Sequence, residues 1–426
     1  MSQKRGQQRG EVRVTPLSSP DFLDVAVIGA GPAAMAAALA LATSGLRIAL
    51  IGPAYDPDHA AQDRRTTAFL PSSVEMLRNL GVWRHCAGQA ARLGGVRIAD
   101  DRGGLLRAPE VLFRAEELGL ASLGANLPNS ALNSALWSAV DTSPVRCIPT
   151  AAVVKVTPGE AHVDIELTEG GTVQARLAVA ADGRASITRR AAQISTRTWD
   201  YGQAAIATTF SHTRPHAEIT TELHRRSGPL TTVPLPGNAS SLVWVETPAE
   251  AARLVNLPDA AFARELEARL KGLLGAIGAF GPRATYPLHG LAAARMGANR
   301  VALVGESAHV IPPIGAQGLN LGLRDAAALA QHVGAARANG QDIGGPEMLE
   351  AYHAARVSDV LARTISVDLL NRSLLVDFLP VQALRGLGLH LLANVSAVRR
   401  LAMRGGLSAA GPLPPLMRPN AQPSST

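Results

Sequence analysis

At 426 residues the chain is too long for one simple core and fits two or three packed lobes. Hydrophobic residues make up 47% and charged residues 18%, which excludes a disordered chain. The 41 basic and 34 acidic residues leave a net charge of +7, spread too thinly to argue for nucleic acid as a partner.

Taken in chain order, residues 1–20 are polar and basic and read as a disordered tail. The apolar stretch Val25 to Leu50 is interrupted by Gly29, Gly31, Pro32 and Gly45. It therefore reads as strand, turn, helix and strand, and not as a signal peptide or a membrane span. Helices are expected at Ser73–Leu80 and Asn129–Val140. Short strands follow from Ala151, with a turn at Glu169-Gly170-Gly171 and a buried run ending at Ala181. Tyr201–Phe210, Glu218–His224 and Ser241–Glu246 alternate as strands of an antiparallel sheet, and Arg300–Val304 returns as a buried strand. Gly318–Ala336 is helical, and 346–404 is helical with breaks at Pro380 and Gly386.

The implied organisation is a discontinuous dinucleotide domain over 21–195 and 296–345, which lends part of its chain near 95–125 to a sheet domain over 196–295. A helical region covers 346–410, and a disordered tail covers 411–426. The two cysteines, Cys86 and Cys147, form no CxxC pair and read as reduced thiols in a cytosolic protein.

The first chemical motif is Gly29-Ala30-Gly31-Pro32-Ala33-Ala34, between a strand and a helix. Gly29 permits the tight turn, Gly31 lets a pyrophosphate approach the backbone, and Ala34 is small enough for close helix–strand contact. The helix N-terminus then favours the phosphate charge. The acid usually found at the end of the second strand is missing. Ile51 is followed by Gly52 and Pro53, and the first carboxylates are Asp56 and Asp58. Either one of them replaces it or the ribose contact is lost.

Three further segments are Asp63-Arg64-Arg65-Thr66-Thr67-Ala68, Ala181-Asp182-Gly183-Arg184 through Arg189, and Val301 to Asp325 with Gly305-Glu306 and Pro312-Pro313-Ile314-Gly315-Ala316-Gln317-Gly318-Leu319-Asn320. With these the chain resembles class A flavoprotein monooxygenases, and among them the flavin hydroxylases of ubiquinone biosynthesis. The resemblance runs from about Asp24 to Gly405 and also includes Tyr201-Gly202-Gln203, Trp244 and Tyr286-Pro287-Leu288, where Trp244 and Pro287 read as core and turn residues.

The resemblance implies an α/β fold of the p-hydroxybenzoate-hydroxylase type: a Rossmann-type FAD-binding domain interrupted by an antiparallel substrate sheet and followed by C-terminal helices. It places Arg65 near the FAD adenosine, against the plainer reading of a solvated arginine pair. It places Asp182 and Gly183 near the pyrophosphate, with Arg184 and Arg189 adding positive charge. Glu306 stands where the family has an aspartate on a ribityl hydroxyl. The amides of Gly318, Leu319 and Asn320 face the flavin edge that becomes anionic on reduction. Pro313, Gly315 and Gln317 border the flavin ring, and His309, which could be read as a base, is expected to be a packing or hydrogen-bonding residue beside the motif. No metal site is expected.

The implied activity is NAD(P)H- and O2-dependent hydroxylation of a polyprenylated phenol through a C4a-hydroperoxyflavin. Apolar and basic residues of the C-terminal helices, Leu387, Leu391, Arg400 and Arg404 among them, suit peripheral contact with the inner membrane or with a ubiquinone-biosynthesis complex, or simply cap the FAD domain. The implied location is cytoplasmic, peripheral to that membrane. Two alternatives stay open: a soluble hydroxylase of a small phenol or aromatic acid, with Arg214, Arg225 or Arg226 as carboxylate clamp, and a flavin-bearing scaffold of a biosynthetic complex.

Overall fold

The computed structural model describes residues 22–102, 109–315, 317–375, 379–407 and 411–419. In chain order it forms β1 (Phe22–Ile28), α1 (Pro32–Ala42), β2 (Ile48–Gly52), β3 (Arg146–Pro149), β4 (Thr172–Ala180), β5 (Thr196–His212), β6 (Ile219–Arg225), β7 (Gly228–Leu235), β8 (Ala239–Glu246), β9 (Ala284–Ala293), β10 (Val301–Leu303), α2 (Gln317–Ala338) and α3 (Pro346–Leu375). Shorter elements are named below by their residues.

The first lobe is a parallel sheet in the order β10-β4-β1-β2-β3. Val25–Ile28, Ile48–Ile51 and Leu177–Ala180 are apolar and buried because helices cover them. Pro32 starts α1, where a missing N–H costs nothing. From Ala34 to Leu41 every residue of α1 is buried, because the helix is enclosed by the sheet, α2 and the helix Asn129–Asp141.

The second lobe is an antiparallel sheet in the order β9-β5-β8-β7-β6. Gly95–Asp100 extends it, running parallel to β6, and Val111–Arg114 closes that edge. Alternation gives the sheet two distinct faces. Ile206, Phe210, Leu230 and Trp244 point outward and pack beneath the helices Pro248–Val255 and Asp259–Leu270. Ala205, Val245 and Leu288 form a separate apolar cluster on the inner face. That face looks toward the parallel-sheet lobe. Ser241 of β8 shares a 2.8 Å hydrogen bond with Thr66 in the strand Thr66–Phe69. Trp244 is fully buried, whereas Pro287 is an exposed residue inside β9 and not a core or turn residue.

Two other expectations change. Gly386 lies within the helix Leu379–Asn394, and the interruption falls at Val395 before the helix Ser396–Leu407. A glycine costs a helix only about 1 kcal/mol, too little to end one on its own. The break expected at Pro380 holds, since α3 ends at Leu375 and the next helix begins at Leu379 with Pro380 as its second residue. Of the tail expected to be disordered, residues 411–419 are docked. Met417 is buried, and Asn79 donates to the carbonyls of Leu416 and Arg418 at 2.9 Å each. A few apolar anchors outweigh the tail's polar composition. The expected disorder of residues 1–20 lies outside the described residues. Among the described residues no helix is long and apolar enough to cross a membrane.

The seam between the lobes yields a stability test. Gly124 has φ +138°, and a Cβ there would lie 1.8 Å from the carbonyl oxygen of Phe69. Gly124→Ala is expected to destabilise the protein by roughly 3 kcal/mol, from backbone strain plus a clash that only a shift of the strand relieves. Gly119→Ala, at φ +69° with open space around it, is expected to cost about 1 kcal/mol. Thermal or denaturant unfolding of the two variants checks the order.

Candidate functional site

The phosphate turn is built by close approach. The Gly29 amide donates to Ile51 O at 2.8 Å, and Gly29 has φ +134°. A Cβ at Gly29 would sit 2.3 Å from Ala181 O, so no other residue fits without moving the turn. Gly31 precedes α1, and a Cβ there would meet nothing within 4 Å. No side chain caps α1, which leaves its first-turn amides facing that open space. Ala34 is buried, 3.3 Å from the position of a Gly29 Cβ.

A second chain segment closes on the same point. Gly305 follows β10 at φ +65°, and its Cβ position lies 3.3 Å from the Ala33 methyl. A Cβ at Gly322 of α2 would lie 3.3 Å from the Gly305 Cα. The start of α1, the turn after β10 and α2 therefore meet with only small residues between them.

Beyond the ends of β1, β2 and β3 lies a cavity of about 310 Å3, lined among others by Ala30, Pro53, Tyr55, Asp56, His59 and Trp137. Tyr55 and Trp137 stack with ring centroids 5.1 Å apart. Of the two late carboxylates, Asp56 borders this cavity while capping the helix Pro57–Ala61 through the amides of Asp58 and His59. Only one Asp56 oxygen serves the cap.

The Asp182-Gly183 turn begins where β4 ends. Asp182 Oδ2 accepts from the Thr188 amide and hydroxyl at 3.2 and 2.9 Å, while Oδ1 is buried without a partner among the described residues. Arg184 is exposed and borders a second cavity, of about 530 Å3, together with Trp199, His289 and Gly290. Arg189 does not supply free charge to a phosphate. It is buried, and its guanidinium donates to the carbonyls of Ser307 and Arg184 at 2.8 and 3.0 Å, tying the two loops together.

Arg65 is held by both oxygens of Asp63 at 2.9 and 2.8 Å and lies 5.3 Å above the Tyr286 ring. The hydrogen bond to Asp63 raises its proton affinity, and the nearby charge of Glu306 adds to this. Glu306 is exposed in the turn Gly305–Ser307. Pro313, Gly315 and Gly318 are exposed along the next stretch, and a Cβ at Gly318 would meet nothing within 4 Å. Gln317 is buried, donates to Gly315 O at 2.9 Å, and leaves Oε1 without a partner. Leu319 is half-buried at the start of α2. The Asn320 side chain accepts from the Leu70 amide and donates to Ala68 O, both at 2.9 Å. It clamps the strand Thr66–Phe69 and is wholly buried.

Beneath this loop is a buried charge network that carries no signature in the sequence. Asp325 accepts from the Gly305 amide at 3.0 Å, from His309 Nε2 at 2.6 Å and from Arg356 Nε at 2.8 Å. Arg356 and Arg324 both reach Asp359. Burial alone would push the Asp325 carboxyl up, but His309 and Arg356 outweigh it and hold Asp325 below the usual carboxylate range.

The site is therefore an open small-residue cradle on a Rossmann turn, continued by glycine-rich backbone toward an apolar sheet face. The profile of the FAD binding domain family matches residues 23–364. The chain belongs to this family. It is an FAD-dependent flavoprotein monooxygenase. It is 35% identical to a ubiquinone hydroxylase of Rhodospirillum rubrum over 94% of each chain. It is 29% identical to the 3-demethoxyubiquinol 3-hydroxylase of Escherichia coli over 90% of this chain and 98% of that one. The fold is shared with Klebsiella pneumoniae HpxO, solved with FAD and uric acid, at a TM-score of 0.71 and 17% identity, covering 91% of this chain and 97% of that one. The open positions at Gly31 and Gly318 and the partnerless Asp182 and Gln317 oxygens fit an elongated dinucleotide lying along this path.

The depressed Asp325 value gives a pH test with a defined sign. A carboxyl whose folded value lies below its unfolded one, about 3.9, adds stability above that unfolded value. The stability is lost as pH falls through the folded value. At neutral pH Asp325→Asn is expected to cost about 3 kcal/mol and to lower FAD retention. The gap between variant and parent should close in acid. Unfolding curves at neutral and acidic pH, with the FAD-to-protein ratio, check this.

Proposed function

We propose that this flavoprotein hydroxylates the aromatic ring of a polyprenylated phenol on the route to ubiquinone, with NAD(P)H as reductant and O2 as oxygen source. The observation that carries the reading is the 35% identity to a ubiquinone hydroxylase over nearly the whole chain. Bound FAD supplies hydride acceptance and oxygen activation. Gly29, Gly31 and Ala34 shape the pyrophosphate cradle, with Asp182 and Gly183 beside it and Asp56 at the adenosine end. Glu306 replaces the ribityl-binding aspartate, and its charge reaches Arg65. The amides of Gly318, Leu319 and Asn320 face the flavin edge that gains negative charge, while Pro313, Gly315 and Gln317 border the ring. The apolar inner face of the sheet excludes water from the reacting ring. The cavity beside Arg184 offers NAD(P)H a cationic approach.

The arginines named for a small aromatic acid are otherwise engaged. Arg214 donates to Gly272 O, Arg225 is paired with Glu246, and Arg226 reaches Arg102 O. The cradle glycines that admit a dinucleotide are all kept, which argues against a scaffold that merely retains the fold.

The substrate is lipid-bound, and the C-terminal helices carry a matching surface. Leu387, Leu391, Val395, Val398 and Leu401 are exposed, with Arg400 and Arg404 exposed beside them. This apolar stripe with a basic flank suits an anionic membrane surface.

Purified protein is expected to oxidise NAD(P)H faster when a prenylphenol is added and to yield a product with one oxygen from labelled O2. Deleting the gene should leave a quinone intermediate lacking one ring hydroxyl, and unchanged quinone pools would contradict the reading. Reversing both charges with Arg400→Glu and Arg404→Glu should weaken sedimentation with anionic vesicles by more than tenfold, at about 1 kcal/mol per basic residue.

A further inference from the structure

The inner face of the substrate sheet carries polar side chains of two kinds. Some are matched within the protein. Ser241 bonds Thr66 and Asn126, and Gln203 donates to Ser227 O and accepts from Asn371. Others are left over.

On β6 the sequence alternates Thr220, Glu222 and His224 with Thr221, Leu223 and Arg225. Leu223 packs outward with Leu230 and Trp244, so Thr220, Glu222 and His224 point inward. Glu222 is in register with Thr231, and Thr231 with Val243 on the inner face. The polar group thus sits two strand spacings, roughly 10 Å, from the apolar floor formed around Val243 and Val245.

Glu222 and His224 are both buried and are joined by a 2.7 Å hydrogen bond from His224 Nε2 to Glu222 Oε1. Among the described residues His224 Nδ1 has no partner. Neither do Thr220 Oγ1, four residues away on the same strand face, nor Asn371 Oδ1, whose amide nitrogen donates to Gln203. A buried polar atom without a partner costs about 1–3 kcal/mol. The Nδ1 atom of His224, next to a buried carboxylate, leaves a position for a donor from an occupant of the inner face. The outward face shows what a purely structural acid looks like in this sheet. Glu246 there is bonded by both Arg225 and Trp244.

We infer that Glu222 and His224 form the polar end of the aromatic-ring pocket, where His224 Nδ1 accepts a hydrogen bond from the substrate's phenolic hydroxyl. The inference rests on the substrate class proposed above. The Glu222 carboxylate accepts a hydrogen bond from Nε2–H and so favours the tautomer that leaves a lone pair on Nδ1. That lone pair polarises the phenol O–H and raises electron density at the ring carbons ortho and para to the oxygen, the carbons that take up the new oxygen. A ring whose hydroxyl is methylated has no proton to offer and is rejected.

The test compares a short-chain prenylphenol with its methyl ether. Each is titrated into FAD-loaded protein and followed through the flavin absorbance. The parent protein is expected to prefer the phenol by about tenfold, the worth of one buried hydrogen bond. His224→Gln retains a donor toward Glu222 but places no lone pair at the Nδ1 position, and should lose the preference. His224→Asn, whose oxygen falls near Nδ1, should keep part of it. Glu222→Gln, a second route if the histidine variants lose FAD, should reduce the preference severalfold by releasing the tautomer. A His224→Gln protein that still prefers the phenol tenfold overturns the inference, as does a parent protein that does not distinguish the two compounds. A parent that binds neither compound and is not stimulated by any prenylphenol overturns the substrate class itself, and this inference with it.

Discussion

The Asp325 carboxylate is the constraint on which the cofactor side of this protein depends. It holds the Gly305 amide, the His309 ring and the Arg356 guanidinium at once, with no exposure to solvent. Gly305 is thereby fixed against Ala33 and Gly322, and the open cradle at the start of α1 keeps its shape. A buried carboxylate is costly unless every lone pair is answered by charge or a donor. Here charge and donors come from the 305–309 stretch and from Arg356, which is why α3, far along the chain, takes part in shaping a turn after β10. Arg189 adds a second brace by tying Ser307 to the Asp182 turn.

The substrate side follows from a different rule. One antiparallel sheet has a dry outer face sealed by two helices and an inner face opposed to the FAD lobe. Alternation along β6 and β8 assigns each residue to one face or the other. Apolar residues on the inner face give an aromatic ring a surface to lie on. The few polar groups left unmatched there mark where its hydroxyl meets the protein. The candidate cofactor site is built from backbone and glycine, whereas the inner face of the sheet presents side chains.

Much of the cofactor path was legible because local sequence suffices for it. Gly29, Gly31 and Ala34 announce a turn whose steric demands are set by immediate neighbours, and Gly318 opens a helix in the same way. The distant partners were not legible. Asp325 and Arg356 lie 31 residues apart, and nothing local distinguishes them from surface charges. Arg189 read as a phosphate ligand because sequence shows its charge and not the carbonyls that engage it. The Tyr55–Trp137 stack joins a loop to a helix and left no pattern. The Glu222–His224 pair did leave one, polar residues two apart in a strand. Its meaning required knowing which face Leu223 occupies. The docked segment 411–419 was hidden by its composition, since Leu413, Leu416 and Met417 are scattered through a proline-rich run.

The central claim is that one continuous path runs from the cavity at Asp56, past Gly31 and Glu306, to Gly318, and ends at the inner face of the sheet. A crystal structure with FAD and a phenolic substrate analogue tests it most directly. The account predicts the pyrophosphate at the Gly29–Gly31 turn, the isoalloxazine against the backbone of Pro313, Gly315 and Gly318, and the phenol between that ring and the face carrying Val243 and Val245. A flavin ring bound away from the 313–318 backbone, or an analogue seated on the outer, helix-covered face, would contradict it.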